Sequence, residues 1–323
     1  MRVEEVRLSA RSTHAITARL GVATALLMFA LMVIGSVVRT TGSGLACPDW
    51  PLCHGRLIPP FEFHVLIEWF HRLVALLVGV MLLTTSIWVW THRETRARAG
   101  GLAALAIGLY VVQALLGALT VWKLLSPAMV SSHLVVALLL FATLLALTLV
   151  EHAEDADPAL PRGPRPAGLV PMIALTALWT WVQAGLGGVV SSSHAGCVCP
   201  DWPTCNGRWF PPMKGLIGLQ MMHRFSAYAL LGLVIFNVVR WVRVEDVRVG
   251  GGLVWAFALT VFQVILGVLN VLKGTPPWLS AAHLATAAAI FATLVITLFH
   301  ATRWPAAGAP LGRGALAGSR SGG

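Results

Sequence analysis

The sequence predicts an all-α integral membrane protein, with eight transmembrane helices forming two tandem, parallel four-helix-bundle repeats. Three observations predict it. Of 323 residues, 57% are hydrophobic and 11% charged, where soluble domains carry about 25% charged. Eight apolar segments each come close to the ~20 residues needed to cross a bilayer. The second half of the chain also rewrites the first: CPDWPLCHGRLIPP at 47–60 matches CPDWPTCNGRWFPP at 199–212 in ten of fourteen positions.

Taken in order, the first segment (18–39) follows a stretch holding Arg2, Glu4, Glu5, Arg7, Arg11 and Arg19. Nothing there resembles a cleavage site, so it reads as a span and not as a signal peptide. The second (65–90) opens with Ile67-Glu68-Trp69-Phe70-His71-Arg72, and the third (102–122) carries Gln113 and Gly117. The fourth (129–150) begins with Ser131-Ser132-His133-Leu134. A polar, proline-rich joint at 151–167 then separates a first half (1–150) from a second (168–301). In the second half, span 168–191 repeats Gly35-Ser-Val-Val as Gly187-Gly-Val-Val. Span 216–241 carries Gln220-Met221-Met222-His223-Arg224, span 252–271 carries Gln263 and Gly267, and span 279–300 carries Ala281-Ala282-His283-Leu284. Residues 302–323 read as a flexible tail.

Four spans per copy give both copies the same orientation, with an axis along the membrane normal. With the amino terminus inside, cytoplasmic segments collect 15 of the 23 Lys and Arg. That bias places both termini in the cytoplasm of a multi-pass plasma-membrane protein. Tryptophans at the ends of apolar runs (Trp88, Trp90, Trp122, Trp241, Trp278, Trp304) resemble an interfacial belt facing membrane lipid. The net charge of +10 does not indicate nucleic acid, because the arginines lie mostly in short segments flanking apolar runs.

Ionisable groups inside lipid are costly and usually face a cavity or cofactor. On a helix, Glu68 and His71 share a face, the carboxylate about 4.5 Å nearer the start. His71 and His133 both lie near the outer starts of their spans, at similar depth in one bundle, and His223 and His283 do the same in the other. Zinc wants four ligands, or three plus water, and no acid or thiol recurs at that depth. Di-iron bundles need more carboxylates than Glu68 supplies. A heme iron needs one or two axial ligands, and histidine is a common one. One bis-histidine heme per half is therefore the preferred chemistry. Arg72 and Arg224 would then pair with heme propionates, or serve simply as interfacial snorkelling residues.

Cys47 and Cys53 bracket one outer loop and Cys199 and Cys205 its copy, in a disulfide-permissive position. Bridges Cys47–Cys53 and Cys199–Cys205 are expected, with a four-cysteine zinc site across both loops as the alternative. Cys197 is an extra thiol whose matching position holds Leu45, which leaves the second loop's pairing and any redox role open.

The cysteine loops, the E-x-x-H-R element at 68–72, the H-R at 223–224 and the lone His133 and His283 together resemble the heme A synthase family, over nearly all of 18–300. The resemblance implies an eight-helix oxidoreductase that converts the C8 methyl of heme O to the formyl group of heme A, for cytochrome oxidase. It implies that His71 and His133 flank the substrate heme in the first half, that His223 and His283 ligate heme B in the second, and that Glu68 is an important acid. Heme O synthase and cytochrome oxidase assembly factors would be its partners, with the electron acceptor unspecified.

The asymmetry between copies agrees independently. Moving protons at a methyl group needs an acid or base, and only the first half has one, since Gln220 stands where Glu68 would repeat. Methyl to aldehyde is a four-electron oxidation, reached by two hydroxylations through a gem-diol that loses water. The chain has no flavin or dinucleotide fingerprint, so electrons leave through hemes or an external partner. Two other classes stand beside this one. A diheme b-type electron carrier would make Glu68 purely structural. A transporter fits parallel repeats but lacks a broken-helix pair at the midplane.

Overall fold

A computed structural model describes residues 2–155 and 163–304. Eight α-helices follow one another: α1 (Arg2–Thr40), α2 (Phe63–Thr91), α3 (Arg93–Trp122), α4 (Pro127–Asp155), α5 (Leu169–Ser192), α6 (Gly215–Trp241), α7 (Val247–Leu272) and α8 (Pro277–Arg303). All eight are long and apolar enough to cross a membrane. Among the described residues no β-strand forms. Helices satisfy their own backbone hydrogen bonds, which is what a lipid environment demands.

The expected spans all appear, but three helices run well beyond their apolar segments. α1 starts at Arg2 instead of 18, α3 at Arg93 instead of 102, and α4 reaches Asp155. Glu, Arg and Ala are good helix formers, so these helices continue past the point where the hydropathy signal stops. Others end on local chemistry. Asp246 caps α7 by accepting from the Arg248 N–H at 2.9 Å, and α8 starts with proline in its first turn. Positions 156–162 of the expected linker and the tail from 305 lie outside the described residues.

Each set of four consecutive helices closes into a ring. α1 touches α2 and α4, and α3 joins α2 to α4; α5, α6, α7 and α8 do the same. The rings meet through α1, α4, α5 and α8. They share an apolar interior, for the core around Met28, Leu82, Leu138 and Leu144 takes in Ala288 and Phe291 of α8. In lipid, helices associate through close packing and hydrogen bonds more than through the hydrophobic effect. Gly185 of α5 shows the close packing, since a methyl group built on it would lie 2.8 Å from Val135 on α4. Two hydrogen bonds cross the same seam. Trp181 Nε1 donates to the Val135 carbonyl at 3.0 Å, and Arg39 Nη1 to the Ser191 carbonyl at 2.7 Å.

Candidate functional site

The four histidines follow one local rule. Each sits on an even-numbered helix and lays the Cε1 edge of its ring against a glycine of the preceding helix. A methyl group built on Gly35 would stand 3.1 Å from His71 Cε1, on Gly117 3.3 Å from His133, on Gly187 3.0 Å from His223, and on Gly267 3.2 Å from His283. Any larger residue would push the ring away. The glycines thus set the position of each imidazole as surely as the helices that carry it.

The remaining edges of the rings face a cavity of about 1090 Å³ that all four histidines line. It exceeds the roughly 300–1,000 Å³ typical of a pocket for one drug-sized ligand. Each histidine is deep in the bundle and still half-buried, because its free edge opens on this space. Nδ1 of His71, His133 and His283 is buried without a hydrogen-bond partner. His223 differs: Gln183 Nε2 approaches its Nδ1 at 3.0 Å and its carbonyl oxygen at 2.9 Å. The matching first-half position is Leu31, so nothing in the repeated motifs pointed to Gln183.

The donor set excludes some chemistries. Among the described residues no three His, Cys, Asp or Glu side chains gather tightly enough to hold a metal ion. Disulfides join Cys47 to Cys53 and Cys199 to Cys205, so the alternative of a four-cysteine zinc site is not built. Cys197 is a free, exposed thiol. A group that brings its own equatorial ligands fits what is present: paired imidazoles, glycine-flattened walls and a largely apolar cavity.

The two cysteine loops are organised by a pair of aspartates, Asp49 and Asp201, that the cysteine spacing does not single out. In the first, the Asp49 carboxylate accepts from the His54 and Gly55 N–H groups at 2.6 and 2.7 Å. In the second, Asp201 accepts from Asn206 and Gly207 at 2.6 and 2.9 Å, and from the Thr204 hydroxyl. Both turns need two consecutive residues at positive φ, supplied by His54-Gly55 and Asn206-Gly207. The Gly55 N–H leads in holding the Asp49 carboxyl below its usual range. The Thr204 hydroxyl, then the Gly207 N–H, bring Asp201 down to about 2. The aspartates were legible in the repeated CPDWP, ahead of an Asn-Gly turn signal in one copy.

Glu68, His71, His133 and Arg72 of the first ring and His223, His283 and Arg224 of the second all line this cavity. Glu68 is 3% exposed. One of its oxygens accepts from the Cys47 N–H at 2.8 Å and the other from Arg72 Nη2 at 2.6 Å. Arg72 also donates to the carbonyls of Cys47, Asp49 and Leu52 at 2.9, 2.6 and 2.6 Å. Its terminal nitrogens are therefore bonded to the cysteine loop and Glu68, an arrangement that neither of its two expected roles, propionate pairing or interfacial snorkelling, includes. Arg224 donates to Thr204 and Cys199 carbonyls at 2.6 and 3.0 Å, and its buried Nε has no partner. Gln220 replaces the acid with a long 3.4 Å contact to the Gly196 carbonyl and an unpartnered Oε1. A carboxylate binds the N–H of the first loop's Cys47, and the amide at the matching position makes no such bond.

Fold and site together define a polytopic helical membrane protein with two internal histidine pairs next to disulfide-closed loops. The COX15-CtaA family model, described as cytochrome oxidase assembly protein, matches residues 18–64 and 60–295, and the chain belongs to that family. It is similar to the heme A synthase of Shouchella clausii, 32% identical over 289 residues that cover 88% of this chain and 90% of the relative. It is also similar to those of Halalkalibacterium halodurans (30%, covering 85% and 93%) and Symbiobacterium thermophilum (31%, covering 76% and 82%).

Proposed function

We propose that this chain is a heme A synthase, a membrane oxidoreductase that converts the C8 methyl of heme O to the formyl group of heme A. The carrying observation is the pairing of His71 with His133 and His223 with His283 around one cavity, with a carboxylate beside only the first pair. Family membership and relatives of that name support it, and do not favour the electron-carrier reading.

In this reading the halves are two copies of one bundle with different tasks. His71 and His133 hold the substrate heme O, and Glu68 handles the proton at the methyl being oxidised. His223 and His283 hold heme B, which when bound supplies one-electron redox chemistry. Gly35, Gly117, Gly187 and Gly267 keep the imidazoles in place. Arg72 and Glu68 strap the outer loop over the first site and exclude water. Arg224, with a spare buried Nε, suits an anionic group in the second half better than Arg72 does in the first. The protein lies in the bacterial plasma membrane with both termini cytoplasmic. The test is chemical: hemes extracted from the purified protein are separated by chromatography and identified as pyridine hemochromes. Heme B together with heme O or heme A is the expected result, and heme B alone at both sites would refute the assignment.

A further inference from the structure

The cavity is not the same shape in the two halves. On the first side it reaches out to Leu57, 81% exposed, and Leu76, 60% exposed, passing beside Trp69. Trp69 is held there by its Nε1, which donates to the Leu57 carbonyl at 2.8 Å. Beside Leu76, Tyr110 of α3 crosses to α2, donating its hydroxyl to the Ala75 carbonyl at 3.0 Å and lying over Gly79. These residues bound an apolar opening between α2 and α3.

The second half does not repeat these residues. Trp209 stands where Leu57 would repeat and does not line the cavity. Met221 stands for Trp69 and is fully buried against Cys199 and Cys205. Tyr228 stands for Leu76; it too lines the cavity, but it is half-buried where Leu76 is exposed, and its hydroxyl is buried without a hydrogen-bond partner. A site meant for a compact macrocycle with polar edges needs no such exit. A site for a macrocycle bearing a long hydrocarbon chain does, because burying that chain within the ring's own pocket would require far more room.

We propose that the opening bounded by Leu57, Trp69, Leu76 and Tyr110 holds the prenyl chain of heme O and leads it to the bilayer. It is thereby the feature that reserves the first half for the prenylated heme. This deepens the reading of the chain as a heme A synthase and rests on it. Leu76 offers the chain an apolar wall at the lipid boundary, where apolar contact costs nothing to leave exposed. A tyrosine there, as in the second half, would narrow the gap and bring a hydroxyl that needs a partner.

The test compares full-length wild type with Leu76→Tyr and Leu76→Ala in heme O oxidation. Leu76→Tyr should raise KM for heme O tenfold or more with kcat kept within about twofold. Leu76→Ala should stay within about threefold on KM, and the heme B content of all three should be equal. An unchanged KM in Leu76→Tyr overturns the proposal. Absence of heme A from wild type would instead defeat the underlying function. Should Leu76→Tyr fail to accumulate, a photoreactive benzoylphenylalanine at position 57 decides the matter. A covalent adduct with heme O, and none with heme B, supports the opening as the chain's path; equal labelling by both hemes, or none by either, refutes it.

Discussion

Glu68 and Arg72 stand one helical turn apart on α2, with Arg72 Nη2 2.6 Å from Glu68 Oε1, and together they fasten five positions to one another. The carboxylate takes the Cys47 N–H, and the guanidinium takes three carbonyls, Cys47, Asp49 and Leu52, within the loop that the Cys47–Cys53 bridge closes. A residue expected for proton chemistry thus also ties the first cysteine loop to the cavity wall. Where the acid is replaced, at Gln220, that tie to the Cys199 N–H is not made, and Arg224 holds its loop by two carbonyls.

The histidine assignments separate by half. His223→Ala or His283→Ala should lower heme B in the purified protein to well under half of wild type, since in the proposed reading each would hold the heme and its loss would leave a gap beside its glycine. His71→Ala and His133→Ala should leave that heme B near wild type. Hemochrome quantitation checks both. Full heme B content in the two second-half variants would contradict the assignment.

The glycine cradle makes a steric prediction. At Gly187 a methyl group already stands 3.0 Å from His223 Cε1, so alanine forces a shift of a few tenths of an ångström and valine a larger one. Gly187→Val should lose heme B while still inserting in the membrane, and Gly187→Ala should fall between. Equal heme content in all three would mean that the ring is not held by this contact.

How much of this was legible beforehand follows physical lines. Spans were legible because hydropathy reports the lipid slab, but not the true start of α1, whose charged first turns are helical without being apolar. The histidines were legible because the motif around them is written twice. The work of Arg72 was not, because its partners are loop carbonyls whose positions exist only once the loop is folded around Asp49. Gln183 was invisible for a different reason: it belongs to one copy alone, and Leu31 in the other gives no hint of it.

Thiol accessibility tests the loops. Of five cysteines, Cys197 is exposed, while the other four are paired and almost fully buried. Alkylation of the denatured, unreduced protein should add one label, and five after reduction, read by intact mass. Labelling of Cys47 or Cys53 without reductant would contradict the bridge.

Asp201 carries a pH dependence with a definite sign. Its carboxyl is held down to about 2, first by the Thr204 hydroxyl, from an ordinary value of 3.8. A depressed acid contributes loop stability that is present above the ordinary value and lost as pH falls through the folded one. The second loop should therefore be indifferent to pH from 7 down to about 4 and loosen between there and about 2. Asp201→Asn should loosen it already at pH 7, seen as faster hydrogen exchange at the Asn206 and Gly207 amides. Unchanged exchange in that variant would show that the carboxylate does not hold the turn.

The most direct test of the central claim is the product formed from heme O by wild type and by Glu68→Gln, which copies what the second half has at Gln220. Wild type should yield heme A. General acid–base groups commonly contribute ~10²–10⁴-fold, so Glu68→Gln should retain its heme B yet slow by a factor in that range, with heme O or a hydroxylated intermediate accumulating. Wild-type rates of heme A formation from Glu68→Gln would contradict the role assigned to this carboxylate.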